Sequence, residues 1–266
     1  MLQVLDRGAH AVSWEVAGKP VLFSSSLATS SAETAWRGGV PICAPWFAAG
    51  PDGNQRPSHG PARTSLWQPL EVSETANRHR LEVDRDAAGN DASLELVAAT
   101  TAADDTLVNE LTITNRGERE ALVEAALHTY LQVSDVTAIL LRGLEHCRYF
   151  DKVAQRECEP EPTIEFGALV DRIYELPGGD AGEIVVADAA MARQFKLRFD
   201  GARQAVVWNC GPDASPSDLG AGEWRNFVCV EAAALGGTRL AVGERLVLRS
   251  RVTVVFDTAE VSNAPV

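Results

Sequence analysis

Residues 105–133, "DTLVNELTITNRGEREALVEAALHTYLQV", decide the fold class. From Leu107 to Thr114 apolar and polar side chains alternate with the period of two that marks a half-buried strand. Asn115-Arg116-Gly117 then supplies a turn signal, and a second alternating run rises through His128. The pattern predicts an antiparallel hairpin. In its second arm Glu124, Ala126, His128, Tyr130 and Gln132 share one face. Ala125, Leu127, Thr129, Leu131 and Val133 share the other, because successive side chains point to opposite sides of a strand. The second face reads as core. The first is either a solvated surface or the lining of a concave site, since His and Tyr join an apolar body to a polar tip.

The same kind of run recurs along the chain in "HAVSWEVAGKPVLFSS", "HRLEVDRD", "ASLELVAATT", "QFKLRFD", "QAVVWNC", "NFVCVEAAA" and "RLVLRSRVTVVF". Gly, Asp, Asn and Pro clusters separate them. No segment carries a long helical period with caps at both ends, so helices are expected to be few and short. The expectation is an all-β chain, a large antiparallel sandwich or barrel formed by one domain over residues 1–266, with the tail frayed from about 258. Two polar loops, 37–63 and 209–225, are where binding residues belong on such a scaffold.

Composition narrows the function. Of 266 residues 45% are hydrophobic and 23% charged, sufficient for a large core. The net charge of -13 disfavours a nucleic-acid partner, which needs clustered Lys and Arg. No apolar run approaches the roughly 20 residues of a membrane span, and "MLQVLDRGAH" lacks a signal peptide's apolar stretch. A soluble, cytoplasmic protein with no membrane partner is expected. The five cysteines have no CxxC spacing, and His59, His79, His128 and His146 are not in metal-ligand spacing, so reduced thiols and no metal are expected. There is no Walker loop, no GxGxxG after a strand and no GxSxG elbow.

Several residues could carry chemistry. His128 is a site histidine or a partly buried structural one. Glu231 closes the apolar run "NFVCVEAAAL" without a same-face Lys or Arg, so it is either solvated at a strand end or held in a pocket that raises its pKa. The loops "TAWRGGVPICAPWFAAG" and "SHGPARTSLW" gather Trp36, Arg37, Trp46, Phe47, His59, Arg63 and Trp67 around glycines and prolines. Arginine grips anions in a fork and aromatic rings cover apolar sugar faces, but core aromatics and acid-paired arginines would explain the same residues. Asp171 could accept hydrogen bonds from vicinal hydroxyls or cap a turn, and Trp208-Asn209 stand at the exit of a strand.

The ordered set "WRGGVPICAPWF", "HGPAR", "LHTYLQVSDV", "DRIY", "VVWN" and "FVCVEAAAL" resembles the hexose-6-phosphate mutarotase branch of the aldose 1-epimerase family. The resemblance spans Trp36 to Ala234. It implies a galactose-mutarotase-like β-supersandwich that binds a sugar on a concave sheet face without metal or organic cofactor. The expected partner is a small sugar phosphate, and a monomer is expected. His128 and Glu231 match the family's acid and base, Arg37 and Arg63 its sugar-phosphate contacts, and Asp171 its holder of sugar hydroxyls. Ser58, His59, Trp208 and Asn209 complete the expected substrate contacts. The chain departs from the family pattern at Pro61, where an aromatic is usual, and at Ser58, where relatives often carry glutamine. A non-catalytic carbohydrate-binding module and a mutarotase of free aldoses are the competing readings.

Overall fold

The computed structural model describes residues 1–179 and 182–256, so the expected frayed tail lies outside the described residues. The first nine strands are β1 (Leu2–Leu5), β2 (His10–Val16), β3 (Lys19–Pro20), β4 (Ile42–Cys43), β5 (Gln68–Val72), β6 (Ala76–Arg85), β7 (Asp91–Ala103), β8 (Thr106–Asn115) and β9 (Ala121–Leu127). The next six are β10 (Tyr130–Gln132), β11 (Leu140–Arg142), β12 (Tyr149–Asp151), β13 (Arg156–Cys158), β14 (Val170–Glu175) and β15 (Ile184–Asp188). The last four are β16 (Arg193–Asp200), β17 (Gln204–Asn209), β18 (Phe227–Leu240) and β19 (Arg245–Phe256). Helical structure among the described residues is limited to 3-10 turns of three or four residues.

The strands form a three-stranded sheet, β1-β2-β3, and two eight-stranded sheets. One of the larger sheets runs β11-β15-β16-β19-β8-β7-β6-β5. The other runs β13-β12-β14-β17-β18-β9-β4, with β10 also paired to β18. Leu107, Leu111 and Ile113 of β8, Phe195 and Leu197 of β16, and Ala125 and Leu127 of β9 belong to one buried cluster, so apolar faces of both large sheets meet in it. Each fully buried Leu, Ile or Phe there contributes roughly 1.5–3 kcal/mol relative to exposure.

The expected hairpin of residues 107–128 does not form. β8 pairs with β7 and β19, whereas β9 pairs with β18 and β4 in the other large sheet. Asn115 makes the corner between them: its Nδ2 donates to the carbonyls of Arg119 and Leu240, and its Oδ1 accepts from the Gly117 amide. Alternation reports that each strand has an apolar face, and is silent on which strand lies beside it.

The run 124–133 also differs from one continuous strand. It breaks at His128-Thr129, where the His128 amide turns to the Pro41 carbonyl and the Tyr130 amide to that of Gly39. The break keeps register with β18: Leu127 opposes Ala232 and Tyr130 opposes Cys229, three residues along on each strand. Nor is the polar face solvated, since Glu124 and Tyr130 are buried. A second, smaller apolar cluster of Cys43, Phe47, Ala126, Val206, Ala233 and Leu235 covers part of it. β18 is therefore enclosed on both sides, which is why "FVCVEAAAL" reads as a continuous apolar run instead of alternating.

Candidate active site

Cross-strand register lays the floor of the site. Because the break preserves pairing, His128 falls opposite Glu231. Glu231 in turn opposes Val206 on β17, and Val206 opposes Ile173 on β14. Two residues along, Tyr130, Cys229, Trp208 and Asp171 form a parallel row. Residues directly opposite, or two apart on one strand, share a face, so both rows point the same way. His128 stacks on Tyr130 with ring centroids 4.8 Å apart and meets the edge of Trp208 at 5.8 Å. Its Nε2 stands 3.3 Å from Oε1 of Glu231. The floor opens into a cavity of about 410 Å³, a size that accommodates a hexose with a charged substituent.

Loops supply the walls. Arg37 projects from a turn whose glycines pass against neighbouring backbone: Gly39 has φ +65, and a side chain there would run into the Ala11 carbonyl. His10 secures this turn by donating from Nε2 to the Gly38 carbonyl at 2.8 Å, which fixes its tautomer. Gly60 has φ +76 and lies against the Ala44 carbonyl, so only glycine fits between His59 and the strand-proximal chain. His59 itself has φ +64. Its Nδ1 accepts from the Ala48 amide at 3.3 Å, leaving Nε2 to carry the proton as a donor. Arg63 donates from Nη2 to the Ser58 carbonyl at 2.8 Å, and its buried Nε has no partner.

Charge in the cavity is arranged in pairs. Arg37 donates from Nε to Asp218 at 3.0 Å and from Nη1 to the Tyr130 hydroxyl at 2.9 Å. Burial opposes its charge, but Tyr130 and Asp218 outweigh that and raise its pKa. Lys152 reaches Asp171 Oδ2 at 2.7 Å. No carboxylate among the described residues pairs with Arg63 in the same way, so it is the cavity cation best placed to accept an outside anion.

Burial dominates the titration of the central pair. It lowers the His128 pKa well below 6.5, helped by His59, Arg37 and Arg63, and lifts Glu231 well above 4.5, helped by Asp171 and opposed by Lys152. The reference values alone suggest an imidazolium beside a carboxylate. Burial instead favours the neutral imidazole and the carboxylic acid, because both charged forms lose solvation. His128 Nδ1 and Glu231 Oε2 are buried without hydrogen-bond partners. Either way the pair holds one proton, and so offers one donor and one acceptor.

Of the residues singled out in the sequence, Arg37, Ser58, His59, Arg63, Asp171 and Trp208 line this cavity together with His128 and Glu231. Asn209 does not, and its expected substrate contact is corrected. It is fully buried, its Nδ2 donates to the Trp224 and Phe227 carbonyls, and its Oδ1 accepts from the Gly211 amide. One residue beyond Trp208 on a strand points to the opposite face, where it ties down the base of the 209–225 loop. Trp46 and Trp67 are core, with their indole N–H groups on the Pro57 and Ala62 carbonyls. Sequence reasoning missed Lys152 and Asp218, two wall residues. The only hint was a charged residue beside a turn in "YFDKVAQ" and "SPSDLG". Among the described residues no three His, Cys, Asp or Glu side chains converge as a metal site, and no helix is long and apolar enough to cross a membrane.

Comparison with known proteins identifies the family and the fold. Residues 1–253 match the family model described as aldose 1-epimerase. A protein of Escherichia coli K12 named "Putative glucose-6-phosphate 1-epimerase" is 32% identical over 258 residues, covering 90% of this chain and 81% of its own. One of the same name from Cenchrus ciliaris is 31% identical, covering 86% and 73%. A Salmonella typhimurium crystal structure described as a "putative mutarotase" superposes with a TM-score of 0.81 at 27% identity, over 96% of this chain and 87% of its own. The aldose epimerase homologue of C. elegans, at 11% identity and a TM-score of 0.69, shares the fold, covering 97% and 96%. The architecture is thus the galactose-mutarotase-like one. The chain belongs to the aldose 1-epimerase family, isomerases that act at the anomeric carbon of sugars.

Proposed function

We propose that the protein interconverts the α and β anomers of an aldohexose 6-phosphate, with glucose 6-phosphate as the first candidate. The observation that carries the reading is the 3.3 Å approach of His128 Nε2 to Glu231 Oε1 at the bottom of a cavity walled by arginines. Mutarotation requires the O1 hydroxyl to lose a proton while the ring oxygen gains one. The pair first places its single proton on His128, an internal transfer that leaves total charge unchanged. Glu231 then takes the O1 proton as the C1–O5 bond breaks, and its electron pair goes to O5, which takes the proton from His128. The open-chain aldehyde rotates about C1–C2, and closure on the other face reverses both transfers. Asp171 accepts from sugar hydroxyls, Trp208 lies against the ring, and Arg63 with Arg37 receives the phosphate.

One observation favours a second reading, a mutarotase of free aldoses: Arg37 is already engaged by Asp218 and Tyr130. Exchange spectroscopy by NMR separates the two. Anomer exchange accelerated more for glucose 6-phosphate than for glucose supports the phosphate reading, and equal acceleration replaces it with the second. Sugar binding measured by calorimetry without any acceleration would make the protein a carbohydrate-binding module.

A further inference from the structure

Lys152 stands in the cavity with no role in the proton transfers just described. It follows β12, and its backbone amide donates to the Asp171 carbonyl at 2.9 Å. Asp151 Oδ1 accepts from the Val153 and Ala154 amides, and so fixes the turn that carries the lysine. Its ammonium lies 5.4 Å from the centroid of the Phe47 ring and 2.7 Å from Asp171 Oδ2. A side chain held by backbone, ring and carboxylate is preorganised, and its bond to Asp171 uses an oxygen that would otherwise be open to a sugar hydroxyl.

Asp171 and Glu231 stand in neighbouring rows of the same sheet face, two residues apart along the register, and the Asp171 charge opposes ionisation of Glu231. Glu231 is faced by His128 from the end of β9, Tyr130 from β10, Cys43 from β4, Cys229 on its own strand and Asp171 from β14. From the loops come Lys152, His59, Arg37 and Arg63. Of the cations, Lys152 is the one bonded to the carboxylate beside Glu231.

We infer that Lys152 is a positioning residue for proton transfer: by neutralising Asp171 it sets the field in which the His128–Glu231 pair exchanges its proton with the sugar. This rests on the reading of His128 and Glu231 as the proton-transfer pair. Burial already raises the Asp171 pKa and Lys152 holds it down; removing the ammonium leaves the carboxylate unpaired, and over the pH range in which it stays ionised both proton-binding steps of the pair move to higher pH. Removing the Asp171 charge leaves Lys152 unopposed and moves both steps to lower pH. Removing both charges returns the steps close to their starting positions. A purely structural lysine would not produce opposite shifts that cancel.

The test is an NMR pH titration of the His128 ring in the intact protein and in Lys152→Met, Asp171→Asn and the double variant, alongside the pH dependence of anomer exchange. The expected result is an upward shift of about half a pH unit or more in Lys152→Met, a comparable downward shift in Asp171→Asn, and near-cancellation in the double variant. Lys152→Arg keeps the original positions. Titrations that do not move, or that move in the same direction in both single variants, overturn the inference. If Lys152→Met does not fold, the downward shift in Asp171→Asn is required by itself, and its absence overturns the inference. Absence of anomer exchange in the unmodified protein would sink the proposed function while leaving the titration readable. Intact exchange with unmoved titrations would sink this inference alone.

Discussion

His128 and Glu231 are cross-strand partners, held opposite each other by a register that survives a two-residue break in the strand. Their approach brings a proton donor and a proton acceptor to one spot, and the rest of the site orients a sugar over it. Replacing His128 by Ala or Glu231 by Gln should lower the rate of anomer exchange by about 100-fold or more, with far-ultraviolet circular dichroism unchanged. Glu231→Gln is the sharper variant, because it preserves shape while removing the proton. Exchange that persists near the original rate in both folded variants would remove the pair from the mechanism.

The pH profile of kcat/KM should be a broad plateau with its acid limb below 6.5. The limb appears when the pair takes a second proton, and that step must charge His128, whose pKa burial holds well below the ordinary value. The alkaline limb marks loss of the pair's only proton, which Glu231 resists because burial raises it well above the usual carboxylate range. Since the two groups interact, the limbs belong to the pair and not to either residue. An acid limb at or above 6.5 would show that burial does not hold His128 below the ordinary histidine value in the free enzyme.

Phosphate selectivity should depend more on Arg63 than on Arg37. Arg37 is occupied by Asp218 and Tyr130, whereas Arg63 has an unpartnered Nε and only a carbonyl on Nη2. A charge-assisted bond lost from Arg63→Ala amounts to about 1.5–3 kcal/mol, so KM for glucose 6-phosphate should rise about tenfold or more. The exchange of unphosphorylated glucose should change little. A larger loss of selectivity in Arg37→Ala would reverse the assignment and mean that Asp218 yields its place to the substrate.

Much of this site was legible in the sequence, but unevenly. Alternation placed His128 on the correct face, and the order of motifs supplied Glu231, Arg37, Arg63 and Asp171 as its companions in one cavity. The pairing of β9 with β18, and not with β8, was not legible, because period-two patterning carries no information about neighbours across a sheet. Asn209 was misread because it follows Trp208, yet parity alone turns it to the other face. Lys152 and Asp218 escaped notice because a single charge beside a turn is the commonest feature of any surface.

Gly60→Ala should destabilise the protein by about 3 kcal/mol or more, combining a left-handed backbone with a collision against the Ala44 carbonyl. Gly53→Ala is the control, since its φ is also positive but nothing lies within reach of the added methyl. Chemical denaturation should therefore show a clearly larger loss at Gly60. Equal losses would mean that the conformational cost alone is being measured and that the loop carrying His59 yields to the methyl.

His10 gives stability a pH dependence whose sign can be worked out. Its folded pKa is lowered to about 4 from 6.5, chiefly by burial and despite the bond to the Gly38 carbonyl. Between those values the unfolded chain binds a proton that the folded one does not, so stability rises with pH across the window and is lost as pH falls from 6.5 toward 4. The central pair contributes in opposite senses, His128 being lowered and Glu231 raised, and because it is common to both proteins it drops out of their difference. His10→Asn removes the titrating ring. The stability difference between original and variant should then shrink by about 1.4 kcal/mol for each pH unit below 6.5, as followed by chemical denaturation at pH 7, 6 and 5. Parallel stability curves for the two proteins would show that His10 is not held neutral against the Arg37 turn.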